Sequence, residues 1–172
     1  ANGTIEVDKY LNFSRMDIQG GTWTLSGNTS AVDTRLFSGA TARIATSASL
    51  STGTVTSLGG TIESTLPSST MPFTRALNLA SGTTTFGAGD ISVFNTTIMG
   101  LGTLRKTGAG MLFLSSPHTY AGGTVLSDGG VSVSDPGALG SGSLSVEGSS
   151  RLRVASGTNL GTSIGLNSNA SL

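Results

Sequence analysis

A short phrase of three or four residues with alternating apolar side chains recurs along the sequence with a period of roughly 20 residues. Each copy opens on Thr, Ser or Ala and is followed by residues rich in Gly, Ser and Thr. The copies begin at Thr4, Thr22, Ala42, Thr61, Thr83, Thr103, Thr124, Ser143 and Ser163. A nearly fixed period of this length is typical of solenoids, in which each repeat is one unit stacked on its neighbours.

A second series of phrases begins at Ile91, Met111, Val131 and Arg151, with the same period. The two series are separated alternately by about eight and about twelve residues, which does not suit hairpins joined by turns of two to five residues. Coils of about 20 residues would instead place each strand parallel to the same strand of the next coil. We therefore predict an all-β fold, a parallel β-helix, as a single unit over residues 1–172.

Alternation along the phrases also predicts which side chains point into the β-helix. The predicted inward residues are Ile5, Val7, Trp23, Leu25, Ile44, Ile62, Phe86, Leu104, Val125, Leu144, Val146, Ile164 and Leu166. Glu6, Arg105 and Ser145 are predicted to face outward. Paired glycines such as Gly122 and Gly123 predict corners, because corners need positive φ or close backbone approach.

Two stretches break the pattern. Between Ser26 and Thr41 the second strand is hard to place, and Ser64 to Arg75 contains two prolines. We predict that residues 64–75 form a loop that leaves the solenoid, and that Pro67, Pro72, Pro117 and Pro136 all lie outside strands.

The formal net charge is zero, and the nine basic residues are dispersed. Nucleic-acid binding needs a clustered basic face, so this partner is not expected. The two basic pairs, Arg105 with Lys106 and Arg151 with Arg153, are interpreted as solvated outer faces. No cysteine is present and no apolar run is long enough to span a bilayer, so we expect no thiol chemistry and no membrane insertion of this segment.

Few residues suggest chemistry, and no catalytic, cofactor-binding or metal-binding residue is predicted. His118 is the one histidine, with Ser115, Ser116 and Asp128 nearby in sequence, but a residue in a turn explains it better than a catalytic triad. The carboxylates of Glu6 and Asp8 would share one strand face, which could serve glycan cleavage. A polar outer edge is the simpler interpretation.

Residues 100–133 read GLGTLRKTGAGMLFLSSPHTYAGGTVLSDGGVSV. This segment resembles the passenger-associated transport repeat, or autotransporter-associated β-strand repeat, of bacterial type V autotransporters. The residues that match the family pattern are Gly100, Gly102, Leu104, Lys106, Gly108, Gly110, Leu112, Leu114, Tyr120, Gly122, Thr124, Val125, Gly130, Val131 and Val133. His118 stands where the family usually has Asn, and Val131 where it often has Leu.

The resemblance implies a right-handed β-helical fragment of a passenger, at the bacterial surface or secreted after export through the periplasm and outer membrane. Its implied partners are its own C-terminal translocator barrel, absent from this sequence, and the outer-membrane assembly machinery. The implied function is a stalk whose repeat promotes folding-driven translocation. The alternative is an adhesin or host-binding module that uses the loop from Pro67 to Arg75 or a side of the rod; a host surface or a second copy would then be the partner. An enzyme is the third and least favoured reading.

Overall fold

The computed structural model describes residues 1–66, 68–93 and 95–167. In this part of the chain the strands are β1 (Asn2–Glu6), β2 (Arg15–Ile18), β3 (Gly21–Ser26), β4 (Asp33–Phe37), β5 (Ala40–Ile44), β6 (Thr54–Leu58), β7 (Thr61–Ser64), β8 (Met71–Phe73), β9 (Ala76–Leu79), β10 (Thr83–Phe86), β11 (Ile91–Val93), β12 (Ile98–Gly100), β13 (Thr103–Lys106), β14 (Met111–Leu114), β15 (Thr124–Leu126), β16 (Gly129–Val133), β17 (Leu144–Val146), β18 (Ser150–Val154) and β19 (Ile164–Leu166). The helical content of the described ranges is two 3-10 turns, Val7–Lys9 and Ser47–Ser49. No helix in the described ranges is long and apolar enough to cross a membrane.

The strands form three parallel sheets that stack coil upon coil. Sheet 1 has nine described strands, in the order β1-β3-β5-β7-β10-β13-β15-β17-β19. Sheet 2 is β2-β4-β6-β9-β12, and sheet 3 is β8-β11-β14-β16-β18. Paired residues lie about one coil apart in sequence, as in Thr83 with Thr103 and Leu144 with Ile164. The predicted all-β parallel β-helix, with coils of about 20 residues, is therefore confirmed.

The cross-section of the rod changes along its length. The first coils have strands in sheets 1 and 2, the middle coils have strands in all three sheets, and the last coils have strands in sheets 1 and 3. The strand that the sequence left unplaced between Ser26 and Thr41 is β4, which pairs with β2 and β6 in sheet 2. The strands of sheet 2 were not located from the sequence. They recur with nearly the same period as the other strands, but each begins on a different residue type, at Arg15, Asp33, Thr54, Ala76 and Ile98.

Inward side chains form columns because a parallel register places equivalent residues of successive coils above one another. One column of sheet 1 contains Leu104, Thr124 and Leu144, all buried. Most of the predicted inward residues are buried, namely Val7, Leu25, Ile44, Ile62, Phe86, Leu104, Leu144 and Val146. Ile5 and Trp23 are partly buried and pack against the core, and the Trp23 Nε1–H donates to the carbonyl oxygen of Gly20 at 2.8 Å.

Ile164 and Leu166 continue these columns but are 44% and 58% exposed, because β19 is the last described strand and no described residue stacks on it. Their place in the inward columns is as predicted, but they are not buried by the described residues.

Val125 was predicted to point inward, and this is wrong. Thr124 and Leu126 are the buried residues of β15, aligned with Leu104 and Lys106 of the preceding coil. The phrase at this place opens on its inward residue, and a shift of one residue exchanges the two faces of a strand. The buried Thr124 hydroxyl is accommodated because it bonds to the phenol oxygen of Tyr120 at 2.6 Å.

The predicted solvated pair of Arg105 and Lys106 is half wrong. Arg105 points outward and donates to the carboxylate of Glu147 at 2.7 Å. Lys106 is the next residue of the same strand, so it points inward and is 1% exposed. Arg151 and Arg153 are exposed, as predicted.

The predicted loop from Ser64 to Arg75 is much shorter in the structure. Met71–Phe73 forms β8, whose Met71 and Phe73 pair with Ile91 and Val93 and are fully buried. The Phe73 ring meets Phe86 edge-on, with ring centroids 5.8 Å apart. The second series of phrases therefore begins one coil earlier than predicted, at Met71. The two prolines of this segment had led to the prediction of a loop.

Pro72 therefore lies inside a strand, contrary to the prediction. It is tolerated because β8 is an edge strand of sheet 3, where a missing N–H leaves no neighbour unpaired. Pro117 and Pro136 lie outside strands, as predicted, whereas Pro67 and Phe94 lie outside the described residues.

Replacing Phe73 by Ala should distinguish a core strand from a surface loop. We expect Phe73→Ala to lower the free energy of unfolding by about 3–5 kcal/mol, because it leaves a cavity beside Phe86. Ser69→Ala, at an exposed position of the same segment, should change it by less than about 0.5 kcal/mol. Urea unfolding followed by circular dichroism would measure both, and similar small effects would argue that residues 71–73 form a loop.

Candidate functional site

The residues of the resemblance occupy slightly more than one coil of the rod. They run from the end of β12 through β13 and β14, then along residues 115–123 to β15 and β16. Leu104, Leu112, Leu114, Val131 and Val133 supply buried apolar side chains to the core. The apolar residues of the repeat thus point inward, as the alternation along the strands predicts.

The corner between sheets 2 and 1 is a column of glycines spaced one coil apart. A Cβ on Gly102 would lie 2.8 Å from the carbonyl oxygen of Gly82, and one on Gly122 would lie 2.4 Å from that of Gly102. The next member, Gly142, would similarly meet the backbone of Gly123 at 2.4 Å. Glycine is required here because the backbones of consecutive coils approach each other closely. The segment Gly100-Leu101-Gly102 forms a corner for the same reason.

A second corner lies between β13 and β14, and it turns carbonyl groups toward the interior. Gly108 and Gly110 have φ of +67° and +107°, which is the region that favours glycine. In the next coil, a Cβ on Gly129 would lie 2.4 Å from the carbonyl oxygen of Gly108. Gly129 was not among the matched residues. Gly130, which was, would place its Cβ against the flexible side chain of Met111.

Lys106 closes this second corner from inside. Its side chain lies in a column between Phe86 and Leu126. The ammonium Nζ donates to the carbonyl oxygens of Gly87 at 3.1 Å, Thr107 at 2.5 Å and Gly108 at 2.7 Å. All three N–H groups of the ammonium are thus used, and one of them links Lys106 to the preceding coil.

The charge of Lys106 is balanced from the coils on either side. Burial lowers the pKa of Lys106 from 10.5 to about 8, and the carboxylates of Asp90 and Asp128 oppose this shift. Asp90 accepts the N–H of Met111 at 2.7 Å, and Asp128 accepts that of Gly129 at the same distance. Lys106 is therefore a cation at neutral pH, inside a core that is otherwise largely apolar. Sequence reasoning missed both carboxylates because they come from different coils.

Tyr120 forms a second buried polar contact in the repeat. Its side chain is fully buried, and burial raises the pKa of its phenol. The hydroxyl bonds to Thr124, whose Oγ1 also lies 3.5 Å from the carbonyl oxygen of Leu139 in the next coil. The Tyr and Thr of the pattern are therefore a matched pair, four residues apart in sequence.

His118 is also part of the interior and does not lie in an exposed turn. It is 5% exposed, and its Nδ1 accepts the backbone N–H of Ile98 at 3.3 Å. The backbone N–H of His118 donates to the carbonyl oxygen of Gly137 in the next coil at 3.0 Å. His118 thus contacts the coils on both sides, and its Nε2 has no hydrogen-bond partner among the described residues.

Most of the side chains considered as catalytic candidates form hydrogen bonds or ion pairs with other groups. Ser115 Oγ donates to the carbonyl oxygen of Val93, and Asp128 bonds to Gly129, while His118 Nδ1 serves Ile98. Asp8 lies in the 3-10 turn that follows β1, so it does not share a strand face with Glu6, and that prediction is wrong. Glu6 forms an ion pair with Lys9. No group of three or more potential metal ligands occurs among the residues that the structure describes.

The glycine column predicts a strong effect for one added methyl group. We expect Gly122→Ala to lower the free energy of unfolding by about 1–3 kcal/mol, because its Cβ would overlap the backbone of Gly102. Gly20→Ala is the matched control, since its Cβ would have no atom within 4 Å. Equal effects of the two substitutions in a denaturant titration would contradict the close stacking of coils.

The burial of Lys106 predicts an unusual pH dependence. Because the folded chain has a pKa of about 8 where the unfolded chain has 10.5, the unfolded state binds the proton more tightly between these values. The free energy of unfolding should therefore rise by up to about 3 kcal/mol between pH 8 and pH 10.5. Lys106→Met should abolish this rise, whereas Lys9→Met, at the exposed second lysine, should keep it. The same pH profile in all three proteins would contradict the buried ammonium.

Comparison with known proteins supports the resemblance over this part of the chain. Residues 104–133 match the family model described as passenger-associated-transport-repeat. Gly100 and Gly102 lie just before the matched range. No curated protein and no solved structure gives a match to this chain. The chain thus carries one recognisable passenger-associated transport repeat within a β-solenoid.

Proposed function

We propose that this chain is a stalk segment of an autotransporter passenger and that the stacking of its coils helps to draw the passenger outward through the outer membrane. The role is structural and not catalytic. The protein then stands at the bacterial surface or is secreted. Its partners during export are a translocator barrel of the same protein and the outer-membrane assembly machinery.

The observation that carries this proposal is the locality of the stacking. Strands pair with strands of the adjacent coils, as β13 does with β10 of the coil before it and β15 of the coil after it. A solenoid of this kind can therefore add one coil at a time without waiting for distant residues. The outer membrane has no ATP supply, so free energy released by folding outside the cell is a suitable driving force.

Each added coil brings apolar burial and cross-coil bonds. The coil that contains the repeat buries Leu104, Leu112 and Leu114, and burial of each such side chain is favourable by about 1.5–3 kcal/mol. Lys106 and His118 add bonds to the backbone of the preceding coil. Once these groups are in place, a coil can slide back only by unfolding.

The composition suits passage in an unfolded state. Charged residues are 10% of the chain, aromatic residues are 5%, and cysteine is absent. No disulfide can therefore form and fix a loop before export. These features are compatible with the proposed role.

Surface display of the protein that carries this chain would test the proposal. We expect Gly122→Ala to lower the protease-accessible fraction on intact cells several-fold, with an increase in material held in the periplasm, because a weakened coil drives export less. Gly20→Ala should be displayed like the wild type. Normal display of a Gly122→Ala protein whose unfolding free energy has fallen would overturn the driving role.

A binding role is the second candidate, and an exposed segment favours it. Ser68, Ser69 and Thr70 are exposed, and Ser68 and Ser69 border a groove that Arg43 and Asp90 also line. This surface is smaller than the predicted loop, since Met71–Phe73 belongs to the core. Binding of the isolated chain to host cells, abolished by Ala substitutions at residues 68–70 and retained by Gly122→Ala, would support this candidate.

A further inference from the structure

We propose that His118 makes the joint between two successive coils labile to acid, so that the rod loosens at this joint when the pH falls below neutrality. The joint lies between β12 and the following segment from Pro117 to Ala121. This inference concerns a conformational device of the fold and holds whether or not the chain drives its own export.

The joint is the place where sheet 2 ends. β12 is the last strand of that sheet, and residues 117–121 continue its ladder without forming a strand. Thr119 and Ala121 donate their N–H groups to the carbonyl oxygens of Ile98 and Gly100, both at 2.9 Å. The N–H of Ile98 instead donates to a side-chain acceptor, Nδ1 of His118.

This bond requires a neutral imidazole. A neutral histidine has one ring nitrogen that accepts and one that carries a proton, whereas both nitrogens carry protons in the charged form. Protonation at Nδ1 would place an N–H against the N–H of Ile98, at a separation of 3.3 Å between nitrogens. The acceptor would be lost, and two donors would face each other in the interior.

Two groups favour the charged form, the Pro117 carbonyl and the carboxylate of Asp135, but the effect of burial is larger. Asp135 of the next coil is the carboxylate that acts on His118, and it already accepts the N–H of Gly137 at 2.8 Å. Tyr120 lies beside the imidazole, with ring centroids 6.3 Å apart, and is neutral near pH 7. From the preceding coil, residues 95–101 bring no titratable side chain.

The pH window follows from the direction of the shift. Burial lowers the pKa of His118 from 6.5 to about 4, against the opposing effects of the Pro117 carbonyl and Asp135. The unfolded or opened chain therefore takes up a proton at pH values where the closed chain does not. Stability contributed by the neutral imidazole is complete above pH 6.5 and is lost progressively as the pH falls toward 4.

Asparagine provides the matched control. The transport-repeat pattern usually has Asn at the position of His118, and an amide oxygen can accept the Ile98 N–H without titrating in this range. The substitution His118→Asn therefore keeps an acceptor at the joint and removes the proton-binding group.

The whole chain can be tested directly, because His118 is its one histidine. We expect NMR titration to give a pKa well below 6.5 and a proton on Nε2 at neutral pH. Between pH 7 and pH 4.5, the opening constant of the Ile98 amide, measured by hydrogen exchange and corrected for intrinsic rates, should rise by roughly two orders of magnitude in the wild type. In His118→Asn it should change much less.

Two results would overturn the inference. One is an ordinary histidine pKa near 6.5 in the folded wild type, a measurement that does not depend on any variant. The other is an equal rise of Ile98 exchange in the wild type and in His118→Asn, which would assign acid sensitivity to carboxylates elsewhere. An amide of the first coils, such as that of Leu25 in β3, serves as an internal reference and should not follow the titration of His118.

Discussion

The parallel ladder between successive coils is the interaction on which the rest of this structure depends. Once each strand is bonded to the strand one coil away, equivalent side chains are stacked at the spacing of β-strands, about 4.8 Å. That spacing leaves no room for a Cβ where two corners meet, so glycine recurs at Gly102, Gly122 and Gly142. The period of the sequence is thus a consequence of backbone geometry as much as of the apolar core.

The same ladder explains why the repeat has polar residues inside. Glycines at positive φ turn carbonyl groups inward at the second corner, and a buried carbonyl needs a donor. Lys106 supplies three donors from within the core, and its charge is balanced by carboxylates of the two adjacent corners. His118 has the converse role, since it supplies an acceptor to a backbone N–H where sheet 2 ends.

These polar contacts bear on function because they bond one coil to the next. Apolar columns alone would tolerate a shift in register between coils of similar composition. One of the three acceptors of Lys106, the carbonyl oxygen of Gly87, lies in the preceding coil, so this bond depends on the register between the two coils. A stalk that folds coil by coil benefits from such specificity, and a titratable bond at one joint gives that joint its own response to pH.

The sequence by itself determined the class of fold and the part of the chain that carries a transport repeat. It did so because the period of the phrases and the alternation of apolar residues are local properties, fixed by the strand and the coil. The tertiary structure decided the rest. It placed Lys106 inside and Val125 outside, since these depend on register against neighbouring coils. It also brought Asp90 and Asp128 to Lys106 and joined His118 to Ile98, because residues of different coils become neighbours only when the coils stack.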